Sequence, residues 1–263
     1  MIKLIASDID GTLIPYGERD LPQGLFPLIR RLKGAGVLFC PASGRTYHSL
    51  RQLFAPVAED VCFLCENGAI LYGPGEEDTA AILAKTPIPR REGLALARDI
   101  LALPGCELLL SGADTTYVCD CAPEYVTYLR EDKKCRVTVL SDLSQVTEDI
   151  LKVSAYCPNG TEALKDALGS RWGHLGMAVA GPDWLDFTLA NKGVGLRGLC
   201  EALGVKPEET MAFGDNWNDE AMLALAGQGW IMETAHPELL SRFPLHCKSV
   251  SATLEALLKE MEG

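Results

Sequence analysis

The sequence has no apolar run approaching the ~20 residues that a membrane-spanning helix needs. It has no basic opening followed by an apolar stretch either. Neither a bilayer nor a secretory leader is therefore expected. Histidine is scarce, at 4 residues, and no second Cys or His pair stands at the spacing of a zinc site. Cationic side chains are outnumbered, 24 Lys and Arg against 36 Asp and Glu, which leaves a net charge of −12. A surface of that sign repels nucleic acid and anionic lipid at long range, so neither is expected as a partner. Internal repeats and low-complexity tracts are also missing.

What is present suits a globular protein. Hydrophobic residues make up 48% of the 263 positions, enough for one large core or two unequal ones. Ten cysteines are spread along the chain, among them Cys62-x-x-Cys65 and Cys119-x-Cys121. The first pair falls within the apolar stretch Val61–Cys65, which reads as a buried strand. The cysteines as a group read as small apolar residues in a reducing, cytoplasmic compartment.

Apolar periodicity sets out the architecture. Ile2–Ile9 is a buried strand ending in acids. Leu25, Leu28, Ile29 and Leu32 mark one face of a helix, which Gly34-Ala35-Gly36 ends. Further strands are expected at Val37–Cys40 and Val61–Leu64, with a helix between them. Strand–helix alternation of this kind predicts a parallel sheet covered by helices. After Gly73-Pro74-Gly75 the pattern changes to mixed helices and strands, and from Asn191 the first pattern resumes. The expectation is an α/β fold with a Rossmann-like parallel-sheet core and an inserted α/β cap domain. The core takes residues 1–75 and 183–263, and the cap takes 76–182.

Ligands in such sheets gather outside the carboxyl ends of the strands. Four clusters fall there. Asp8-Ile9-Asp10-Gly11-Thr12 places two carboxylates at a strand end, where a hard cation would take oxygen ligands. Gly214-Asp215-x-x-Asn218-Asp219 follows another buried strand. Acids gathered at two strand ends repel each other unless a cation lies between them. Ser43-Gly44-Arg45 offers a hydroxyl and backbone N–H groups suited to a phosphoryl oxygen. Asn191-Lys192-Gly193 puts a cation at a helix N-terminus, where the dipole disfavours it unless an anion is near. Each has a plainer reading by itself: an acidic turn, a solvated N-cap, a Ser/Gly turn, a solvent-facing lysine.

Together, and in this order, the clusters resemble the haloacid dehalogenase superfamily. The insert between the Ser and Lys motifs, with Asn67-Gly68-Ala69 after the third strand, resembles its Cof-type subgroup with a C2 cap. Ser43 stands where threonine is frequent in that family, and the hydroxyl survives. The resemblance implies a Mg2+-dependent phosphatase acting on a small phosphate ester, such as a sugar phosphate. Asp8 would be the nucleophile that forms an aspartyl-phosphate, and Asp10 the acid and base. Asp8, Asp10 (through its backbone carbonyl), Asp215 and Asp219 are the implied metal residues. Gly11, Thr12, Ser43, Gly44, Arg45, Asn67, Lys192 and Asn218 are the implied phosphate- and substrate-binding residues, and specificity would lie in the cap. Transfer to a second sugar, as in a mutase, is the alternative within enzymes. A phospho-acceptor module without turnover is the alternative outside them. Oligomeric state is left open.

Overall fold

The structure, a computed structural model, describes residues 1–158 and 160–262. The first strands are β1 (Leu4–Ser7), β2 (Leu38–Pro41), β3 (Phe63–Cys65), β4 (Ile70–Tyr72) and β5 (Ile82–Lys85). The middle of the chain adds β6 (Glu107–Ser111), β7 (Thr116–Cys119), β8 (Val137–Leu140), β9 (Lys152–Tyr156), β10 (Met177–Val179) and β11 (Trp184–Phe187). The last three are β12 (Thr210–Gly214), β13 (Gln228–Met232) and β14 (Leu245–Cys247). Helices of note are α1 (Leu25–Gly34), α2 (Tyr47–Leu53), α3 (Arg90–Leu101), α4 (Pro123–Glu131), α5 (Glu162–Trp172) and α6 (Lys192–Leu203).

The chain forms two compact units. The first comprises Met1–Arg45, Leu50–Ala84 and Asn191–Gly263, and the second comprises Thr46–Ser49 and Lys85–Ala190. Their main divisions, at 84/85 and 190/191, lie beyond the 75/76 and 182/183 read from the sequence. Strand pairing accounts for the shift. β5 neighbours β4 in a three-stranded sheet, and β11 pairs with β9 in the sheet of the second unit.

In the first unit five parallel strands run in the order β14-β13-β12-β1-β2. Their sequences are nearly all apolar because a parallel sheet is covered on both faces. All of β1 and β12 is buried. α1 turns Leu25, Leu28, Ile29 and Leu32 inward. Each of these burials contributes about 1.5–3 kcal/mol. β3 runs parallel to the β2 segment, as the sequence predicts, and also has a second partner that the sequence pattern does not include. It pairs antiparallel with β4 in the separate sheet β3-β4-β5, and an isolated parallel bridge, Ala42 to Leu64, joins it to the chain after β2.

The second unit holds a six-stranded sheet in the order β10-β11-β9-β6-β7-β8. Alternation along β6 sends Leu108 and Leu110 to one face and Leu109 to the other. The first pair clusters with Leu96 and Ile100 of α3 and Leu168 and Trp172 of α5, while Leu109 clusters with Tyr125 and Leu129 of α4. Helices therefore line both faces of this sheet. Two cysteines depart from the reading of the group as apolar fillers. Cys106 and Cys157 form a disulfide across a sequence separation of 51, with Cα atoms 4.7 Å apart. The antiparallel register of β6 and β9 pairs Glu107 with Tyr156, which sets the two cysteines opposite each other one residue further along.

Candidate active site

The central ladder delivers the acids. β1 and β12 are parallel neighbours, with Ser7 in register with Phe213. Asp8, directly after Ser7, and Asp215, two residues after Phe213, therefore leave the same end of neighbouring strands. The Asp8 N–H donates to the carbonyl of Phe213 at 3.0 Å, extending the ladder to the acid itself. The chain then reverses at once, and the Gly11 and Ile14 N–H groups donate to the carbonyls of Ile14 and Ile9. Gly11 has φ 94°, and a Cβ there would lie 2.4 Å from Asp215 Oδ2. Only glycine fits that turn.

One carboxylate oxygen each from Asp8, Asp215 and Asp219 lies within 4.8 Å of the others. Lys192, the first residue of α6, reaches between them. Asn191 caps that helix by accepting from the Val194 N–H at 2.9 Å. The Lys192 ammonium donates to Asp8 Oδ1 and, at 2.6 Å, to Asp219 Oδ1. All four side chains are buried.

Their charges do not balance, since three carboxylates face one ammonium. Burial, and next the negative charge of Asp219, pushes Asp8 up to about 8 despite Lys192. Burial also raises Asp215, partly offset by hydrogen bonds from Tyr16 and Thr12. Burial would lower Lys192, but the carboxylates of Asp219 and Asp8 outweigh it and hold the ammonium above its usual value. Excess negative charge among hard oxygen donors at a buried point is the environment that a divalent cation satisfies.

The three acids are not equivalent. Asp219 has its oxygens engaged: Oδ1 by Lys192, and Oδ2 by the N–H groups of Asp215 and Asn216 at 3.0 and 3.1 Å. It closes the loop after β12 and seats the ammonium. In Asp8 the oxygen bonded by Lys192 is Oδ1. Asp215 accepts from the Thr12 hydroxyl at 2.9 Å and the Tyr16 hydroxyl at 2.5 Å. The donor set fits a hard cation between Asp8 and Asp215, with Asp219 behind them.

The remaining residues expected at the site fall into two groups. Ser43 is buried after β2, and Gly44 lies against the Asn67 side chain. The Oδ1 of Asn67 is buried with no hydrogen-bond partner, a polar atom left for a ligand or a water. Asn218 is exposed on the 3-10 turn Trp217–Asp219. Arg45 and Asp10 pair with each other rather than with the buried acids. Arg45 Nη2 donates to Asp10 Oδ1 at 2.6 Å and Nε donates to Oδ2 at 3.2 Å. Sequence reasoning missed Tyr16, because nothing in the spacing of the loop marks a tyrosine as a partner for an acid 199 positions away.

The model of the haloacid dehalogenase-like hydrolases matches residues 5–253. Among curated proteins, the chain is similar to 5-amino-6-(5-phospho-D-ribitylamino)uracil phosphatase YbjI of Escherichia coli K12. The two are 25% identical over 242 residues, which cover 89% of this chain and 86% of that protein. The HMP-PP phosphatase of Cronobacter sakazakii is 29% identical over 255 residues, covering 93% and 89% of the two chains. A solved structure from Eubacterium rectale superposes with a TM-score of 0.85 at 27% identity, covering 97% of this chain and 99% of that one.

Proposed function

The chain belongs to the haloacid dehalogenase-like hydrolase family, and from that premise we propose that it is a Mg2+-dependent phosphatase whose nucleophile is Asp8. Its substrate is a small phosphorylated metabolite. The observation that carries this reading is the buried group of Asp8, Asp215 and Asp219 around the Lys192 ammonium.

Asp8, the backbone carbonyl of Asp10 and Asp215 would hold the cation, which supplies positive charge against the developing charge of the transferring phosphoryl group. Asp8 attacks phosphorus through Oδ2, the oxygen other than the one that Lys192 bonds. The bond from phosphorus to the leaving oxygen breaks as the new bond to Asp8 forms, and Asp10 gives its proton to that oxygen. Water then attacks the phosphorus of the aspartyl-phosphate and Asp10 takes its proton. The bond between Asp8 and phosphorus breaks, releasing inorganic phosphate. Lys192 offsets the repulsion between the Asp8 carboxylate and the anionic substrate. Ser43, Gly44, Asn67 and Asn218 are assigned to the phosphoryl oxygens and the substrate, whereas Gly11 and Thr12, expected among them from the sequence, have their N–H groups taken by the carbonyls of Ile14 and Ile9. Such a site works by position and charge, and losing one charged group typically costs ~10²–10³ in rate.

The test is a panel of phosphorylated metabolites ranked by kcat/KM, with the substrates of the two named relatives included. Acid quenching during turnover should trap phosphate on the protein. Asp8→Asn should keep its circular dichroism spectrum and yield neither product nor trapped phosphate, and EDTA should silence the wild type until Mg2+ is restored. Turnover by Asp8→Asn near the wild-type rate refutes the assignment.

A further inference from the structure

We propose that Arg45 is a positioning residue for Asp10, fixing where the acid–base carboxylate lies, and not an anchor for the substrate's phosphate. The inference rests on the acid–base role given to Asp10 above. The guanidinium meets the carboxylate two-pronged, Nη2 to Oδ1 at 2.6 Å and Nε to Oδ2 at 3.2 Å. Two parallel bonds between planar groups set direction as well as distance, which a single charge cannot do. The Asp10 carboxylate lies outside the buried group of Asp8, Asp215 and Asp219. It is 60% exposed, so nothing in the apolar core holds it.

The base of Arg45 is pinned. Its N–H donates to Ser43 Oγ at 3.3 Å, and its carbonyl accepts from the Glu66 N–H at 3.1 Å. The Asn67 N–H donates to the Ser43 carbonyl at 2.9 Å. Glu66 and Asn67 make these bonds from left-handed backbone, φ 51° and 55°. Side chains other than glycine adopt that conformation at a cost of ~1–3 kcal/mol each, and it persists only where the surroundings enforce it. The end of β3 is thus bent against its preference to clamp the turn that launches Arg45. An exposed ion pair contributes about 0–1 kcal/mol to folding. Stability is too small a return for that strain, whereas orienting a proton donor is not.

The test uses full-length protein loaded with Mg2+ and two substrates. One is 4-nitrophenyl phosphate, whose phenolate leaves without a proton. The other is the alkyl phosphomonoester with the highest kcat/KM in the panel, whose alkoxide needs one. General acid catalysis is worth about 10²–10⁴ in rate. Arg45→Ala should therefore lower kcat/KM about 10²-fold or more on the alkyl ester and less than about fivefold on the aryl ester. On the aryl ester kcat and KM should fall together, because Asp10 is still needed to deprotonate water in the second half-reaction. Arg45→Lys should recover little, since its charge lacks the fork. Three results overturn the proposal: equal loss on both esters with a raised KM, as for a phosphate anchor; no loss at all; or recovery by Arg45→Lys. Asp10→Asn is the control. If it fails to separate the two esters, the role given to Asp10 has failed, a different outcome from Arg45→Ala alone failing to do so.

Discussion

Replacing Lys192 by Met removes the one cation from a buried group of three acids. Lys192 and Asp219 are both 0% exposed, and Asp8 is 7% exposed. Breaking a buried pair from one side costs about 3–5 kcal/mol, because the abandoned charge stays desolvated. In a protein of this size each kcal/mol moves the melting temperature by about 2–4 °C. Lys192→Met should therefore lower the transition of the first unit by about 6–20 °C at pH 8 without added cation. Two compact units can melt separately, so differential scanning calorimetry should resolve which transition moves. The loss should shrink towards pH 5, where the abandoned carboxylates take up protons. Removing a second charge, as in Lys192→Met with Asp219→Asn, should recover at least half of it. A shift below about 2 °C at pH 8, or a double variant less stable than the single one, would refute the view that charge pairing holds this site together.

Three other outcomes follow from the geometry. Asp8 stands at about 8 in the fold and 3.8 when unfolded. Between those values the native state holds a proton that the unfolded chain has lost, so stability falls as pH rises through this window and levels off above it. Asp8→Asn lacks that slope, so cation-free variant and wild type should differ little near pH 4, with the variant increasingly the more stable towards pH 8. A gap that narrows with rising pH contradicts the raised value. Gly11→Ala puts a Cβ 2.4 Å from Asp215 Oδ2 on a backbone with φ 94°; calorimetric titration should show Mg2+ affinity reduced by about tenfold or more, equivalent to 1.4 kcal/mol, and unchanged affinity would place the cation elsewhere. Millimolar Mg2+ should raise the melting temperature of wild type by mass action and leave Asp215→Asn unmoved; an equal rise in both would exclude Asp215 as a ligand.

The sheet was legible because β1 and β12 are apolar runs that stop abruptly at acids, a pattern with few folded solutions. Lys192 could be placed because a cation at a helix start demands an anion nearby. Other features depended on contacts that spacing does not encode. Cys106 and Cys157 are joined by the register of β6 with β9, and ten cysteines allow many pairings. β3 was legible as a buried strand parallel to the β2 segment, but burial does not reveal a second neighbour, and its antiparallel pairing with β4 was not legible. Arg45 follows a hydroxyl and a glycine, which suggests an anion but not that the anion is Asp10. The family resemblance put Asp219 close to the metal or just behind it, and the amides gathered on its Oδ2 give it surroundings that Asp215 lacks, which the shared motif does not encode.

Adjacency of β1 and β12 also determines which changes the chain can absorb. A β ladder measures distance along its strands in steps of about 3.3 Å, and a one-residue slip turns every side chain to the opposite face. Deleting a single residue inside either strand would pull its acid back by one step and out of reach of its counterpart. Lengthening a loop well away from the pair would leave that spacing untouched. Tolerance to insertion should therefore be sharply uneven, nearly nil within Leu4–Ser7 and Thr210–Gly214 and greater in loops away from the pair.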